Sequence, residues 1–269
     1  MNHQEMNMPT IKPASGKKGR KRGKRIMTVI LVILSLLILQ TLPRFFPKPL
    51  FAKTLTTGDI RVNYVKGDEK GAEEVLNLLT ERGDEIRRQL NAPGQTRVEV
   101  HLYPTQWQLA IREAGFATLL VAPEWHIGDS HGGNIMMVSP YTPVRVHTHD
   151  SILAATLHEW VHAVNHEMNP DLNYFWDNGL ATYLAGQVPD EAALRSMQIP
   201  SIADMHTENG IKFGEMGGYA FSYDYIRFLE KKWGWEAISK YAKGDSDYAS
   251  AFGMNEEELY DLWKASLTN

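Results

Sequence analysis

The strongest restriction on how this chain can fold is an apolar segment near its start. Residues 26–42 have the sequence IMTVILVILSLLILQTL, in which no residue is charged. A helix needs about 20 mostly apolar residues to cross a bilayer. Residues 43–46, with Arg44 and two phenylalanines, extend the segment into the interfacial region. The sequence therefore predicts a transmembrane anchor over residues 26–46, with one large segment after it.

A basic tail precedes this segment and predicts its orientation. Residues 1–25 contain eight Lys or Arg and one acidic residue, so they carry about +7 and the rest of the chain about −11. Basic residues beside a membrane span stay on the cytoplasmic side. We therefore expect a disordered cytoplasmic tail over 1–25, a single-pass anchor over 26–46, a stalk over 47–53 and an outer domain over 54–269, outside the cell membrane. The apolar segment also argues against nucleic acid as the partner of the basic tail.

A cleaved signal peptide is the alternative interpretation of the same residues. Processing would then follow Ala52, the best-placed small residue. Leu50 is large for the other key position before such a site, and the apolar segment is long for a signal peptide. The sequence therefore favours a retained anchor.

A His-Glu-x-x-His sequence, residues 158–162, lies within a segment (151–167) that has the periodicity of one helix. Because the chain has no Cys, a metal site here has to use other side chains. Residues four apart lie above each other on a helix, so His158 and His162 can reach the same ion. Glu159 lies about 100° round the helix from His158, beside a water on the metal rather than on the metal itself. Two His ligands and a carboxylate general base are typical of zinc hydrolases, whereas the alternative is an amphipathic helix with two incidental histidines.

The spacing of apolar residues predicts an α+β domain whose strands come early and whose helices come late. The predicted strands are residues 60–65, 98–103 and 134–139. The predicted helices are residues 68–90, 106–114, 151–167, 175–186, 217–233, 237–242 and 256–266. We therefore expect a small mixed sheet followed by a helical C-terminal half.

Two further stretches support a family resemblance. Residues 175–183, FWDNGLATY, are similar to an aromatic residue followed by Glu-Gly-x-Ala-x-Tyr, and residues 219–223, 228–234, 251–253 and 263 match the order of C-terminal helices in the same family. With the His-Glu-x-x-His helix, they make residues 98–266 resemble the gluzincin branch of the zinc metallopeptidases, in particular small bacterial proteins of the peptidase MA type. The resemblance implies a zincin-like domain, a bound Zn²⁺ ion and a peptide or protein substrate.

The second stretch departs from the family at the third zinc ligand. The family has Glu directly before the Gly, and this chain has Asn178, whose amide oxygen is a neutral and weaker ligand. Asp177 has a carboxylate, but on a helix it points about 100° away from the Asn178 direction. Three possibilities stay open: Asp177 ligates, Asn178 coordinates weakly, or zinc binding has been lost.

Other residues have expected roles around this centre. The resemblance implies an oxyanion donor from a later helix, for which Tyr219 is the candidate, with a core aromatic as the alternative. His147 and His149, just before the motif, are candidates for supporting contacts or a replacement ligand. His166 continues the spacing of four, but three histidines on successive turns of one straight helix cannot all bind one ion. We therefore expect His166 at the surface. Residues 134–139 are the expected edge strand for an extended peptide.

The sequence thus predicts a membrane-anchored, outward-facing zinc metallohydrolase of gluzincin type, most simply a peptidase. The alternative is a catalytically inactive zincin-fold module that binds partners at the cell surface. Glu159 favours the enzyme, because a protein without chemistry has little need for a buried carboxylate beside two histidines. Asn178 in place of Glu favours the binding module. No pattern in the chain specifies an oligomeric state.

Overall fold

The first element of the fold is a long helix, α1 (Lys17–Thr41). A computed structural model describes residues 17–92, 97–120, 125–244 and 247–268 of the chain. Within these residues one helix, over Lys24–Phe45, is long and apolar enough to span a bilayer, and none of it is buried by protein. The helix includes the last part of the tail that we expected to be disordered, because Lys and Arg are good helix formers once a helix is nucleated. Residues 1–16 of that tail lie outside the described residues.

The segment after α1, which includes the expected stalk over 47–53, is hydrogen-bonded to the domain that follows it. It begins with a 3-10 turn, Leu42–Phe45, and the Phe46 carbonyl then accepts a hydrogen bond from the Arg112 guanidinium at 2.6 Å. The Tyr103 hydroxyl donates to the Pro47 carbonyl. Of these two carbonyl groups, only that of Pro47 belongs to the expected stalk, which is therefore held against the domain at its first residue.

In the part of the chain that the structure describes, five strands form one mixed sheet with the order β1-β2-β3-β5-β4. The strands are β1 (Lys53–Thr57), β2 (Ile60–Tyr64), β3 (Val98–Tyr103), β4 (Gly128–His131) and β5 (Asn134–Val138). The three predicted strands, β2, β3 and β5, are its parallel centre, and β1 and β4 are antiparallel edges. The expectation that residues 134–139 form an edge strand is wrong: β5 pairs on both sides, and β4 is the edge.

Helices cover both faces of this sheet. On one face, α2 (Glu69–Gln89) and α4 (His149–Met168) pack against each other and against the strands. The other face carries α3 (Gln106–Ala114), which also contacts the turn after α1. Successive strand residues alternate between the two sides. The sheet therefore lies between α4, which carries the His-Glu-x-x-His sequence, and the end of α1.

The remaining described residues are mostly helical, which confirms the α+β class. The helices are α5 (Tyr174–Leu184), α6 (Glu191–Ser196), α7 (Ile202–Met205), α8 (Gly210–Glu215), α9 (Gly218–Lys243), α10 (Tyr248–Phe252) and α11 (Glu256–Thr268). The predicted helices 217–233 and 237–242 are the two halves of α9, which is kinked at Gly234, where φ is 74°. α5 packs closely on α9, so that α4, α5 and α9 follow one another as layers.

Candidate metal centre

The motif residues lie in the middle of α4, which begins and ends at well-defined caps. The Thr148 side chain accepts a hydrogen bond from the Ser151 backbone N–H, and Ser151 reciprocates in a capping box. The helix ends at Asn169, before Pro170. Caps at both ends hold the helix in register. That register directs His158 and Glu159 inward, with 7% and 9% of their surfaces exposed.

The two motif histidines point their Nε2 atoms at each other. His158 Nε2 lies 3.0 Å from His162 Nε2, and the two rings are 4.6 Å apart with their planes at 77°. Two ligands of a tetrahedral zinc ion at about 2.1 Å lie about 3.4 Å apart, so a small outward movement would admit the ion. The pairing predicted from the spacing of four is therefore present.

The opposite nitrogen of each ring is held by an acceptor from another segment. His158 Nδ1 lies 2.9 Å from Gln187 Oε1, and His162 Nδ1 lies 2.7 Å from Asp177 Oδ2. When each Nδ1 carries a proton, it donates a hydrogen bond to one of these oxygens. Each Nε2 then keeps a lone pair that points into the gap between the rings. Two lone pairs cannot face each other at this distance without a shared proton or a cation between them. The donor set therefore fits a metal ion.

Asp177, one of the two residues left open as a third ligand, contacts the far side of the His162 ring. Its Oδ2 accepts from His162 Nδ1, and its Oδ1 accepts from the Asn165 amide at 2.7 Å. The carboxylate is thus on the side of the ring away from Nε2. Asp177 orients His162 and stabilises its charge, as carboxylates behind metal-binding histidines do.

Asn178 lies on the other side, against His158. Its side chain is almost fully buried, lines the same cleft as the two histidines and interacts with the His158 ring. Its Nδ2 donates to the Tyr174 carbonyl at 2.9 Å. Over the described ranges no three His, Asp or Glu side chains form a group that could hold a metal ion. The Asn178 amide is thus a neutral group beside His158 in the cleft.

Burial and neighbouring charges set the protonation of the pair. Burial and the charge of His162 lower the pKa of His158 to about 3. Burial also opposes the charged form of His162, but the Asp177 carboxylate outweighs it and raises the pKa of His162 to about 9. The pKa of Asp177 itself is lowered, because the contacts with His162 outweigh burial. These shifts favour a neutral His158 and a charged His162 at neutral pH.

Glu159 is the buried carboxyl group of the site. Burial raises its pKa to about 7, with the charge of His162 acting in the opposite direction and that of Asp129 in the same direction. A carboxyl group that titrates near neutrality can both accept and return a proton. Glu159 therefore combines a raised pKa with a place in the lining of the cleft that contains the two histidines.

These residues line a cleft of about 920 Å³ between the edge strand β4 and the first turns of α5 and α9. Tyr219 lies at its mouth with 36% of its surface exposed, and its ring is 6.1 Å from that of His158. Burial raises the pKa of the Tyr219 hydroxyl, so it keeps its proton as a donor. Tyr219 is thus beside the histidine pair, and the alternative of a core aromatic does not describe its position.

Three residues of the site carried no signal in the sequence. Gln187 follows α5 and supports His158, and only the fold brings it there. Asp129 belongs to β4 and lines the cleft. His126 also lines the cleft, and its Nε2 lies 2.6 Å from Glu113 Oε2. A short polar strand and isolated residues in loops have no periodicity from which to predict them.

The other candidate histidines lie elsewhere. His147 Nε2 contacts the Trp125 carbonyl at 2.8 Å, and His149 Nε2 contacts Glu74 at 2.7 Å. Neither lines the cleft, so the roles of replacement ligand and direct support do not fit their positions. His166 is exposed at the end of the cleft, as its spacing predicted.

No protein-family model matches this chain, and a search of curated proteins finds no match. A function for this protein is therefore inferred from the geometry of the cleft.

Proposed function

We propose that this protein is a membrane-anchored zinc metallohydrolase, most simply a peptidase, whose catalytic domain has a zincin-like fold of the gluzincin type. One observation carries the proposal: two buried histidines direct their Nε2 atoms into one gap, 3.0 Å apart, with a carboxyl group of pKa about 7 beside them. Burying three ionisable groups together is costly unless they serve a shared ligand. The supporting contacts of Gln187 and Asp177 to the far sides of the rings favour a metal ion over a simple hydrogen bond.

His158 and His162 would hold the zinc ion, with the amide oxygen of Asn178, which lines the same cleft, as an additional donor. The ion would supply Lewis acidity, which acidifies a water and polarises a carbonyl group. Glu159 takes the proton from the attacking water and delivers it to the leaving amine. The Tyr219 hydroxyl donates a hydrogen bond to the developing oxyanion at the mouth of the cleft.

The substrate would bind as an extended strand along β4. Among the described residues β4 pairs with β5 alone, and all four of its residues line the cleft. Strand addition at such an edge supplies main-chain hydrogen bonds without demanding a sequence, which suits a peptide substrate. From the sequence we expected the peptide to bind along residues 134–139, which form β5. We now propose that it binds along β4.

The localisation part of the proposal is a single-pass anchor with the tail in the cytoplasm and the domain outside. The helix over Lys24–Phe45 is the support for the anchor, and the eight basic residues before the apolar segment favour this orientation. A reporter fused after Asn269 should be active only outside the membrane. A soluble mature product that starts near Lys53 would instead identify a cleaved signal peptide.

A specific observation favours the second candidate, an inactive zincin-fold binding module at the cell surface. The position expected to hold a ligating carboxylate is occupied by the neutral Asn178, and Asp177 is turned to the back of His162. With two imidazoles and an amide, zinc is held more weakly than by a charged set. The two candidates differ in whether the protein binds zinc and in whether it hydrolyses a substrate.

Zinc content and hydrolysis measured on the full chain in detergent would test the proposal. We expect about one zinc per chain, lost in His158→Ala and in His162→Ala and kept in the matched control His149→Ala, which lies outside the cleft. Glu159→Gln should keep zinc but lose hydrolysis of a peptide library, because it removes the base and keeps the shape. A protein without stoichiometric zinc after dialysis against the metal would refute the enzyme and leave the binding module.

A further inference from the structure

A surface of exposed apolar side chains surrounds the end of α1. We call it the aromatic surface, and it consists of Phe45, Phe46, Leu50, Phe51, Trp107 and Phe116, with 74%, 59%, 71%, 97%, 54% and 52% of their surfaces exposed. All six line one apolar groove of about 1370 Å³, on the side of the sheet that carries α3. Large apolar side chains that are concentrated in one exposed patch indicate a binding surface rather than chance exposure.

The aromatic surface is continuous with the helix that is apolar enough to cross a bilayer. Leu39 and Leu42 of that helical segment line the same groove, and Phe45 is the last residue of the candidate span. A Cβ atom on Gly115 would overlap the carbonyl oxygen of Gln40, so the residue next to Phe116 touches the last turn of α1. Phe116 is therefore at the depth at which the helix leaves the hydrocarbon.

Hydrogen bonds hold the domain in this position. Arg112 binds the Phe46 carbonyl at 2.6 Å, and Tyr103 binds the Pro47 carbonyl. These contacts connect α3 and β3 to the residues directly after the span. Because these hydrogen bonds hold the domain against the end of the span, insertion of α1 would bring the aromatic surface to the membrane boundary.

The chemistry of the surface suits the outer leaflet. Aromatic side chains are enriched at the boundary between hydrocarbon and headgroups, where their rings are favoured. Lys48 is exposed and lines the groove, and the exposed Arg44 directly precedes Phe45 in the chain, so both can reach lipid phosphates. Arg112 and Glu99 also line the groove, so its charged side chains are net cationic although the chain after the tail is acidic.

We propose that the aromatic surface is inserted into the lipid interface, so that the outer domain rests on the membrane in one fixed orientation. The occupant of the groove is the outer leaflet itself, not a second protein. This proposal rests on the membrane anchor of the proposed function and adds a second membrane contact to it. The metal centre, on the α4 side of the sheet, is then held at a constant height and direction relative to the bilayer.

Site-directed labelling of the full chain in liposomes of phosphatidylcholine and phosphatidylglycerol would test this. Because the chain has no Cys, single-Cys variants can each carry one nitroxide. The positions are Trp107→Cys and Phe116→Cys in the aromatic surface and Leu34→Cys in the span. The matched control is Val188→Cys, 67% exposed and placed after α5 in a different layer. Collision rates with oxygen and with a water-soluble nickel chelate report whether each label contacts lipid.

We expect labels at 107 and 116 to favour oxygen over nickel several-fold more than the label at 188. If 107 and 116 match 188 while Leu34→Cys reports hydrocarbon, the surface proposal is overturned and the anchor stands. If Leu34→Cys is exposed to water, the anchor fails and this proposal with it. A label at 188 that reports lipid as strongly as 107 and 116 also overturns the proposal, because contact would not be specific.

Tryptophan fluorescence tests the proposal without spin labels, so its result does not depend on whether the Cys variants fold. Bromine-substituted lipid should quench part of the tryptophan emission of the unlabelled chain, and Trp107→Phe should remove most of that part. Trp235→Phe, in the helical half, is the control and should leave the quenched part unchanged. Quenching that survives intact in a folded Trp107→Phe variant would contradict the proposal.

Discussion

The Nδ1 atom of His162 lies 2.7 Å from Oδ2 of Asp177, on the side of the ring opposite the atom that faces His158. This contact assigns Asp177 a different role from that of the residue after it in the chain. Asp177 contacts the far nitrogen of His162, whereas Asn178 lies beside His158 in the cleft. The contact therefore separates two residues that the sequence left as alternatives for one position.

Asp177→Asn should weaken zinc binding by about 10–100-fold without abolishing it, as is typical when a supporting carboxylate is removed. The substitution removes the charge behind His162 and keeps the shape of the side chain. Zinc affinity measured by competition with a chelating dye would check this, with His162→Ala as the reference for complete loss. If the two variants lose zinc equally, Asp177 is a ligand and its assignment here is wrong.

Asn178→Glu should tighten zinc binding at least about tenfold, because it adds a negative charge beside the cation. Ile211→Glu is the matched control: it adds the same carboxylate to the same cleft at a position with 68% of its surface exposed. The same dye competition measures both. Equal affinities for Asn178→Glu and the unmodified protein would show that the third ligand comes from another residue.

The contact between His126 and Glu113 should make stability depend on pH. Burial lowers the pKa of His126, but the hydrogen bond and charge of Glu113 outweigh it, with Asp129 and Glu159 acting in the same direction, so the pKa is raised above 6.5. The folded state thus gains stability below the unfolded pKa, and this gain is lost as pH rises through the folded pKa. Glu113→Gln should therefore cost more stability at about pH 5.5 than at about pH 9.

The difference between the two pH values should be of order 1.5–3 kcal/mol at most, the usual range for a hydrogen bond to a charged group. Thermal unfolding of both proteins at the two pH values measures it, and NMR should show the pKa of His126 falling in the variant. A loss of stability that is the same at both pH values would mean that His126 is neutral throughout.

Gly179→Ala should destabilise the fold by about 1–3 kcal/mol, the usual range for overpacking. A Cβ atom at Gly179 would lie 2.8 Å from the backbone oxygen of Ser222, so α5 and α9 would have to separate. Gly214→Ala is the matched control, since a Cβ atom there meets nothing within 4 Å. That change should be neutral or stabilising by up to about 1 kcal/mol. Equal melting temperatures for the two variants would contradict the close α5–α9 contact.

Local patterns predicted several parts of this protein correctly. The pairing of His158 with His162 follows from helix geometry alone, because residues four apart share a face whatever surrounds them. The three central strands alternate or are wholly apolar, because they are buried in the sheet. The apolar helix is predicted by composition. In each case the signal is contained within one element, so a single sequence is enough to detect it.

The contacts between elements needed the three-dimensional structure. The edges β1 and β4 are short and polar, so the sequence contains no alternation that marks them. The rotation of α5 against α4, which turns Asp177 behind His162, depends on packing with α9. Gln187 reaches His158 across 29 residues, and Trp107 joins the phenylalanines after α1 through the docking of α3. These arrangements depend on how separate elements pack. The free energy that favours them is spread over many contacts between elements, and no local sequence pattern indicates such contacts.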